Sequence, residues 1–211
     1  MVKRFLVTGC PRSGTGYAAA LFRALGIRCG HEEVFGTEQV LAGEPVVWNG
    51  FDGDSSWMAV PALPLDGVVV LHQVRHPLEV IRSIVGTRFL ELVDRPNRPR
   101  PVVRNRFASV VWRHAKEVFE PETETERAAH FWRLWNERAE AHATFTYRLE
   151  DFDAGLLIHL CALLGFDVPQ DQAEAALRTT SRRVNTRARD ETVSWESIAP
   201  FLGELPAHYG Y

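Results

Sequence analysis

The sequence predicts an α/β protein with a central parallel sheet covered on both faces by helices, a three-layer α/β/α arrangement. Residues 3–8 form a short apolar run that leads through a glycine-rich stretch into a helical segment at 17–25. Residues 68–74 are β-branched and almost continuously apolar, as expected of a strand buried on both faces. Pro77 suits the first turn of the helix that follows, at 78–85. Strands that alternate with helices in this way are typical of parallel sheets.

The rest of the chain contains weaker signals of the same kind. Residues 32–64 are rich in Gly, Asp and Pro and predict mostly loop, and residues 95–106, with five arginines and three prolines, predict a mobile connection. The apolar side chains of Phe131, Trp132 and Trp135 recur at helical spacing and indicate a core-facing surface. The remaining predicted strands are 27–30 and 144–147, and the remaining predicted helices are 107–119, 125–142, 154–164, 171–177 and 195–201.

Composition limits the classes of function. With 211 residues and 45% hydrophobic content, the chain predicts a single domain spanning residues 1–211. The net charge of −3 gives no basic field for a nucleic-acid backbone. The three cysteines form no metal-ligand spacing, and their odd number favours a reducing compartment, so we expect a cytoplasmic protein. No apolar run approaches the roughly 20 residues of a membrane span.

The glycine-rich stretch runs Gly-Cys-Pro-Arg-Ser-Gly-Thr-Gly over residues 9–16, between a predicted strand and a predicted helix. In that context, backbone N–H groups and a helix N-terminus bind a phosphate or a sulfate. Loops that bind nucleoside triphosphates need a lysine and then a hydroxyl after the last glycine, where this chain has Thr15 and Gly16. Magnesium-dependent phosphoryl transfer is therefore disfavoured. Arg12 instead supplies a cation that could face the leaving-group oxygen of a bound phosphosulfate.

The string Pro-Arg-Ser-Gly-Thr-Gly-Tyr at 11–17 resembles the 5′-phosphosulfate loop of sulfotransferases that use 3′-phosphoadenosine-5′-phosphosulfate (PAPS). The resemblance implies a P-loop-like sulfotransferase fold and an enzyme that converts PAPS to 3′-phosphoadenosine-5′-phosphate (PAP). By this resemblance Arg12, Ser13, Gly14, Thr15 and Gly16 bind the 5′ end of the nucleotide. The same likeness implies that Tyr17 stacks on adenine. The chain departs from many members at position 16, where they have a second threonine.

A second motif follows the buried strand at 68–74. Arg75 lies at the carboxyl end of that strand, where open α/β sheets bind ligands, and Ser83 lies eight residues later on a predicted helix. An arginine and a serine at this spacing resemble the 3′-phosphate motif of the same family, which implies that both contact the 3′-phosphate. His76 stands where that family commonly has aspartate. Taken without the first motif, Arg75 and Ser83 would be interpreted as an ordinary surface arginine and helix serine.

The residues Gly30-His31-Glu32 follow the predicted strand at 27–30, so they should share a sheet edge with the glycine loop. A base there could take the proton of the acceptor, and the resemblance places a histidine or glutamate base in this region. We favour Glu32 as the base and keep His31 as the second choice. The alternative is that the two residues only pair or cap locally at a strand end.

The acidic stretch at 52–57 could line an acceptor pocket, although a solvated turn is the simpler interpretation, and no metal site is expected. Late in the chain, Arg187 belongs to a basic segment that resembles the one family members fold over the nucleotide. A solvated basic loop explains Arg187 about as well. The acceptor, a hydroxyl or amine on a small molecule or glycan, and the oligomeric state stay open. The competing functions are a P-loop nucleotide kinase and a non-catalytic nucleotide-binding protein.

Overall fold

The computed structural model of the chain describes residues 3–93, 102–181 and 188–211. The chain divides into two compact units. The first comprises Met1–Arg75 and Asn136–Thr186, and the second comprises His76–Trp135 and Arg187–Tyr211. The prediction of a single domain stays a prediction.

The first unit is built on a parallel five-stranded sheet. Its strands are β1 Arg4–Thr8, β2 Cys29–His31, β3 Gly53–Ser55, β4 Val68–Val74 and β7 Phe145–Arg148. They are arranged in the order β2-β3-β1-β4-β7. The central strand β1 pairs with β3 on one side and with β4 on the other, and both sheet edges are short strands.

Both faces of this sheet are covered. Phe5 and Val7 of β1 point to one face, where they pack in the core with buried residues of α1 Thr15–Ala24, α6 Ala154–Leu164 and α7 Gln170–Thr179. Leu6 points to the other face, since successive strand residues alternate in direction. It packs there with residues of the segment between β2 and β4, which contains α2 Thr37–Ala42 and a 3₁₀ helix at Trp57–Ala62. The predicted α/β class with a central parallel sheet is confirmed.

The second unit is mainly helical, and the long helix α5 begins in it and ends in the first unit. The bounds of its elements are α3 Pro77–Gly86, β5 Leu92–Val93, β6 Val102–Val103, α4 Ala108–His114, α5 Glu124–Glu140, α8 Trp195–Leu202 and α9 Leu205–His208. The N-cap of α3 is His76, whose ring nitrogen Nδ1 accepts the N–H of Leu78 at 3.3 Å. Phe131, Trp132 and Trp135 of α5 are fully buried, which confirms the predicted core-facing surface.

The structure corrects two local predictions and adds detail to a third. The segment 32–64 is mostly loop, as predicted, but it also contains α2, β3 and a 3₁₀ helix. The predicted strand at 27–30 lies slightly later, at Cys29–His31. The predicted helix at 107–119 is interrupted at Ala115, whose φ of −153° and ψ of 62° separate α4 from a 3₁₀ helix at Lys116–Phe119.

Candidate functional site

The glycine loop, residues 9–14, joins β1 to α1 at the carboxyl end of the parallel sheet. Gly14 precedes α1 with a φ of 95°, and a Cβ there would lie 2.8 Å from the Leu149 side chain. A side chain at Gly9 would collide with the backbone carbonyl of Gln73 on β4. These glycines therefore let the loop lie against β4 and α1 start directly after it. The first turn of any helix leaves N–H groups without intrahelical partners, so the start of α1 offers donors to an anion.

Ser13 is the most informative side chain of the loop. It is fully buried, and within the part of the chain that the structure describes its hydroxyl has no hydrogen-bond partner. A buried hydroxyl without a partner costs free energy, which a ligand oxygen at the loop would recover. The neighbouring Thr15 directs its Oγ1 to within 3.5 Å of His31 Nε2. A hydroxyl donor and the helix start are thus close to the residue pair predicted to contain the base.

Tyr17 lies in the hydrophobic core of the first unit. It is 4% exposed, and its ring packs edge-to-face with Phe152 at a centroid distance of 5.9 Å. Its hydroxyl has no hydrogen-bond partner among the described residues. Stacking on adenine stays a prediction, and it would need part of this ring to become accessible.

Arg75 of the second motif meets the glycine loop in the first unit. Arg75 follows the last residue of β4, and its Nη1 donates to the backbone carbonyl of Arg12 at 3.1 Å. Arg12 itself has a φ of 73°, a left-handed conformation that residues with a side chain seldom adopt. The guanidinium of Arg75 therefore helps to hold the loop at its least favourable backbone position. Arg12 and Arg75 thus place two positive charges at this loop, although the protein as a whole is slightly acidic.

The predicted base residues lie at the end of β2. His31 Nε2 is 4.0 Å from the Glu32 carboxylate. Burial lowers the pKa of His31, and the positive charge of Arg23 lowers it further. Burial raises the pKa of Glu32, as does the charge of Asp54, whereas a hydrogen bond from Trp57 and the charge of Arg12 act against that rise. Both pKa shifts favour the uncharged form of the side chain.

The position of Glu32 depends on Asp54, which the sequence pattern predicted to lie in a solvated turn. That expectation is wrong for Asp54, because it is fully buried in β3. Its carboxylate accepts the backbone N–H groups of Glu33, Val34 and Phe35, at 3.1 to 3.3 Å. Asp54 therefore shapes the turn that begins at Glu32, whose φ is 63°.

Two other predicted site residues do not belong to the described part of the first unit. Ser83 belongs to the second unit, where it is 7% exposed on α3, and its contact with a 3′-phosphate stays a prediction. Arg187 lies outside the described residues.

In the ranges 3–93, 102–181 and 188–211, no group of three His, Cys, Asp or Glu side chains could hold a metal ion. The helices in these ranges are too short or too polar to span a membrane.

Sequence reasoning missed several polar residues that support the site. Gln73 and His72 interrupt the apolar run of β4, and both are fully buried. Buried polar residues of a strand require partners, so this interruption was a usable signal. Asp54 and Trp57 belong to the stretch 52–57 that was considered as a lining of the acceptor pocket, but their support of the Glu32 turn was not predicted, because these contacts are non-local.

Comparison with known proteins finds distant structural likeness but no sequence match. No protein-family model matches the sequence, and no curated protein matches it. Among solved structures, the chain is similar to the mouse sulfotransferase SULT7A1 complexed with PAP. The two are 15% identical with a TM-score of 0.46, and the alignment covers 99% of this chain and 79% of the mouse chain. At that distance the likeness carries no argument about activity, which has to be argued from the residues of the site.

Proposed function

We propose that this protein is a sulfotransferase that binds PAPS at the glycine loop and transfers its sulfuryl group to a hydroxyl or amine acceptor. The observation that carries the proposal is the buried hydroxyl of Ser13, which has no hydrogen-bond partner among the described residues. It belongs to a loop that Arg75 contacts from the end of β4. The phosphosulfate-loop string and the predicted 3′-phosphate arginine are far apart in sequence, and they adjoin in the first unit. A phosphate-rich ligand with one end at each motif accounts for that juxtaposition.

The residues suit the charge changes of sulfuryl transfer. A bond forms between the acceptor oxygen or nitrogen and sulfur, the bond from sulfur to the bridging oxygen breaks, and the acceptor proton must leave. Arg12 and the N–H groups at the start of α1 would stabilise the negative charge left on the 5′-phosphate of PAP. Glu32 would take the acceptor proton, with His31 as the second candidate. Most of the remaining barrier reduction would come from positioning, as in phosphoryl transfer.

The ordering of the two candidate bases follows from their surroundings. The Glu32 carboxylate, with its raised pKa, is a stronger base than an exposed carboxylate, and its turn is fixed by Asp54 and Trp57. The imidazole of His31 is held near Thr15 Oγ1 at 3.5 Å, which suits a role in orienting the loop hydroxyl. Glu32 therefore stays the preferred base in this proposal.

Calorimetric titration of the purified protein tests the nucleotide specificity. We expect PAP to bind, and ATP with magnesium and 5′-AMP to bind much more weakly. Arg75→Ala should weaken PAP binding by roughly ten- to a hundredfold, because hydrogen bonds to charged groups contribute about 1.5 to 3 kcal/mol. Arg178→Ala is the matched control, since Arg178 pairs with Glu174 on the surface of α7. No binding of PAP, or a preference for ATP, would contradict the proposal.

A further inference from the structure

Two adjacent polar residues interrupt the apolar strand β4. His72 and Gln73 are both fully buried, and successive strand residues point to opposite faces of the sheet. On the neighbouring edge strand β7, Thr146 lies opposite His72 and Tyr147 lies opposite Gln73. The sheet therefore has a polar pair on each of its faces at the level of the glycine loop.

The first pair contacts the end of the loop. The Gln73 side-chain amide donates from Nε2 to the backbone carbonyl of Ser13. The Tyr147 hydroxyl donates to Gln73 Oε1 at 2.8 Å. Because Tyr147 OH is a donor to the oxygen, it orients the Gln73 amide so that the nitrogen faces the loop. This chain of hydrogen bonds fixes the peptide between Ser13 and Gly14, directly before α1.

The second pair contacts the beginning of the loop. Asn136 of α5 accepts on Oδ1 the backbone N–H of Cys10 at 3.4 Å, and the same oxygen lies 3.0 Å from His72 Nε2. Since an amide oxygen only accepts, Nε2 carries the ring proton and Nδ1 is left to accept from Thr146 Oγ1, at 3.2 Å. This order requires a neutral imidazole. Burial keeps His72 neutral by lowering its pKa to about 4.

We propose that Gln73, Tyr147, His72 and Asn136 form a loop brace, a set of positioning residues that hold the two ends of the glycine loop from opposite faces of the sheet. An apolar pair at these positions would satisfy the core equally well, whereas buried polar groups are costly unless they are bonded. Their partners at the loop are backbone groups of Cys10 and Ser13. A loop that binds an anion through backbone N–H groups gains affinity when those groups are already oriented.

The brace rests on the proposed nucleotide site, so PAP affinity is the first measurement. Gln73→Leu should weaken PAP binding by roughly five- to a hundredfold, because it leaves the Ser13 carbonyl without its donor. Tyr147→Phe should weaken it less, and should add nothing in the Gln73→Leu background, since Tyr147 acts through Gln73. Leu160→Val, a buried change on α6 without a polar contact to the loop, is the control. It should lower the melting temperature and leave PAP affinity unchanged.

Hydrogen exchange of the nucleotide-free protein tests the brace independently of any ligand. Asn136→Leu should accelerate exchange of the Cys10 amide, and Gln73→Leu should accelerate exchange at residues 13–14, each with little effect at the other end. The brace is overturned if exchange in the loop rises equally in Leu160→Val, or if Gln73→Leu binds PAP as tightly as the wild-type protein. If the wild-type protein binds no PAP, the proposed function fails, and hydrogen exchange alone decides whether the brace holds the loop.

Discussion

The glycine loop and the turn after β2 adjoin in the first unit, but they are built from different groups. The loop is fixed through backbone atoms, with the Ser13 carbonyl held by Gln73 and the Arg12 carbonyl held by Arg75. The turn instead carries ionisable side chains, His31 and Glu32, whose pKa values are shifted by burial and neighbouring charges. We infer that the loop determines nucleotide affinity and that the turn determines the rate and its pH dependence.

The largest effect is expected from a substitution in the turn that leaves the glycine loop intact. Glu32→Gln keeps the shape of the side chain but removes the proposed base, so kcat should fall about a hundred- to ten-thousandfold. PAP affinity should change little, because Glu32 belongs to the turn. The measurement is the release of PAP from PAPS in the presence of a panel of alcohols, phenols, amines and sugars. His31→Gln is the comparison variant, and a larger loss of kcat in His31→Gln would exchange the two roles.

The pH profile sharpens the same comparison. A base must be deprotonated, and the pKa of Glu32 is raised above its ordinary value of 4.5. On the proposed function, the rate measured with the wild-type protein should therefore rise with pH through a pKa above 4.5 and then level off. Affinity for PAP should not follow this titration. A rate that does not fall on acidification to the ordinary carboxylate pKa would argue against Glu32 as the base. If no compound of the acceptor panel is sulfated, a nucleotide-binding protein without catalytic activity is favoured.

How well each region could be predicted follows from the range of its contacts. The strand, glycine loop and helix at the start of the chain were predicted because their signals are local: an apolar run, glycines and an alanine-rich segment. Strand β3 was missed because it is only three residues long and has Asp54 at its centre. That carboxylate is tolerated since the N–H groups of residues 33–35 satisfy it, and this contact joins distant parts of the sequence. The burial of Tyr17 in the core was not predicted for the same reason, because its partner Phe152 lies far along the chain.

A smaller effect is expected from Ser13→Ala, which tests the loop. Because its hydroxyl is buried and has no partner among the described residues, removing it should leave the free energy of unfolding unchanged or raise it slightly. PAP affinity should fall by roughly tenfold, through the loss of about one hydrogen bond to a charged ligand. Ser56→Ala is the control, since its hydroxyl donates to the Phe35 carbonyl at 2.8 Å. Ser56→Ala should lose stability. If Ser13→Ala and Ser56→Ala changed the unfolding free energy and the PAP affinity in the same way, the assignment of the Ser13 hydroxyl to ligand binding would be contradicted.

An effect on stability, measured apart from nucleotide binding, concerns His72, which belongs to the loop brace and not to the turn. Its pKa is about 4 in the folded protein and 6.5 for an ordinary histidine, so between these values the unfolded chain binds more protons. Stability from this residue is therefore complete above about pH 6.5 and falls on acidification by up to about 1.4 kcal/mol per pH unit. The raised pKa values of Glu32 and Asp54 act in the opposite direction, so the informative quantity is the difference in unfolding free energy between the wild-type protein and His72→Gln.

Urea unfolding at a series of pH values from about 4.5 to about 7.5 measures that difference, and the wild-type protein should lose more stability on acidification than His72→Gln. The proton order in the brace is the reason, because Nδ1 of His72 accepts from Thr146 and cannot also carry a proton. NMR titration of the imidazole checks the same point directly. A ring that titrates near its ordinary pKa of 6.5 would show that it is not held neutral, and the order of donors from Thr146 through His72 to Asn136 would then be wrong.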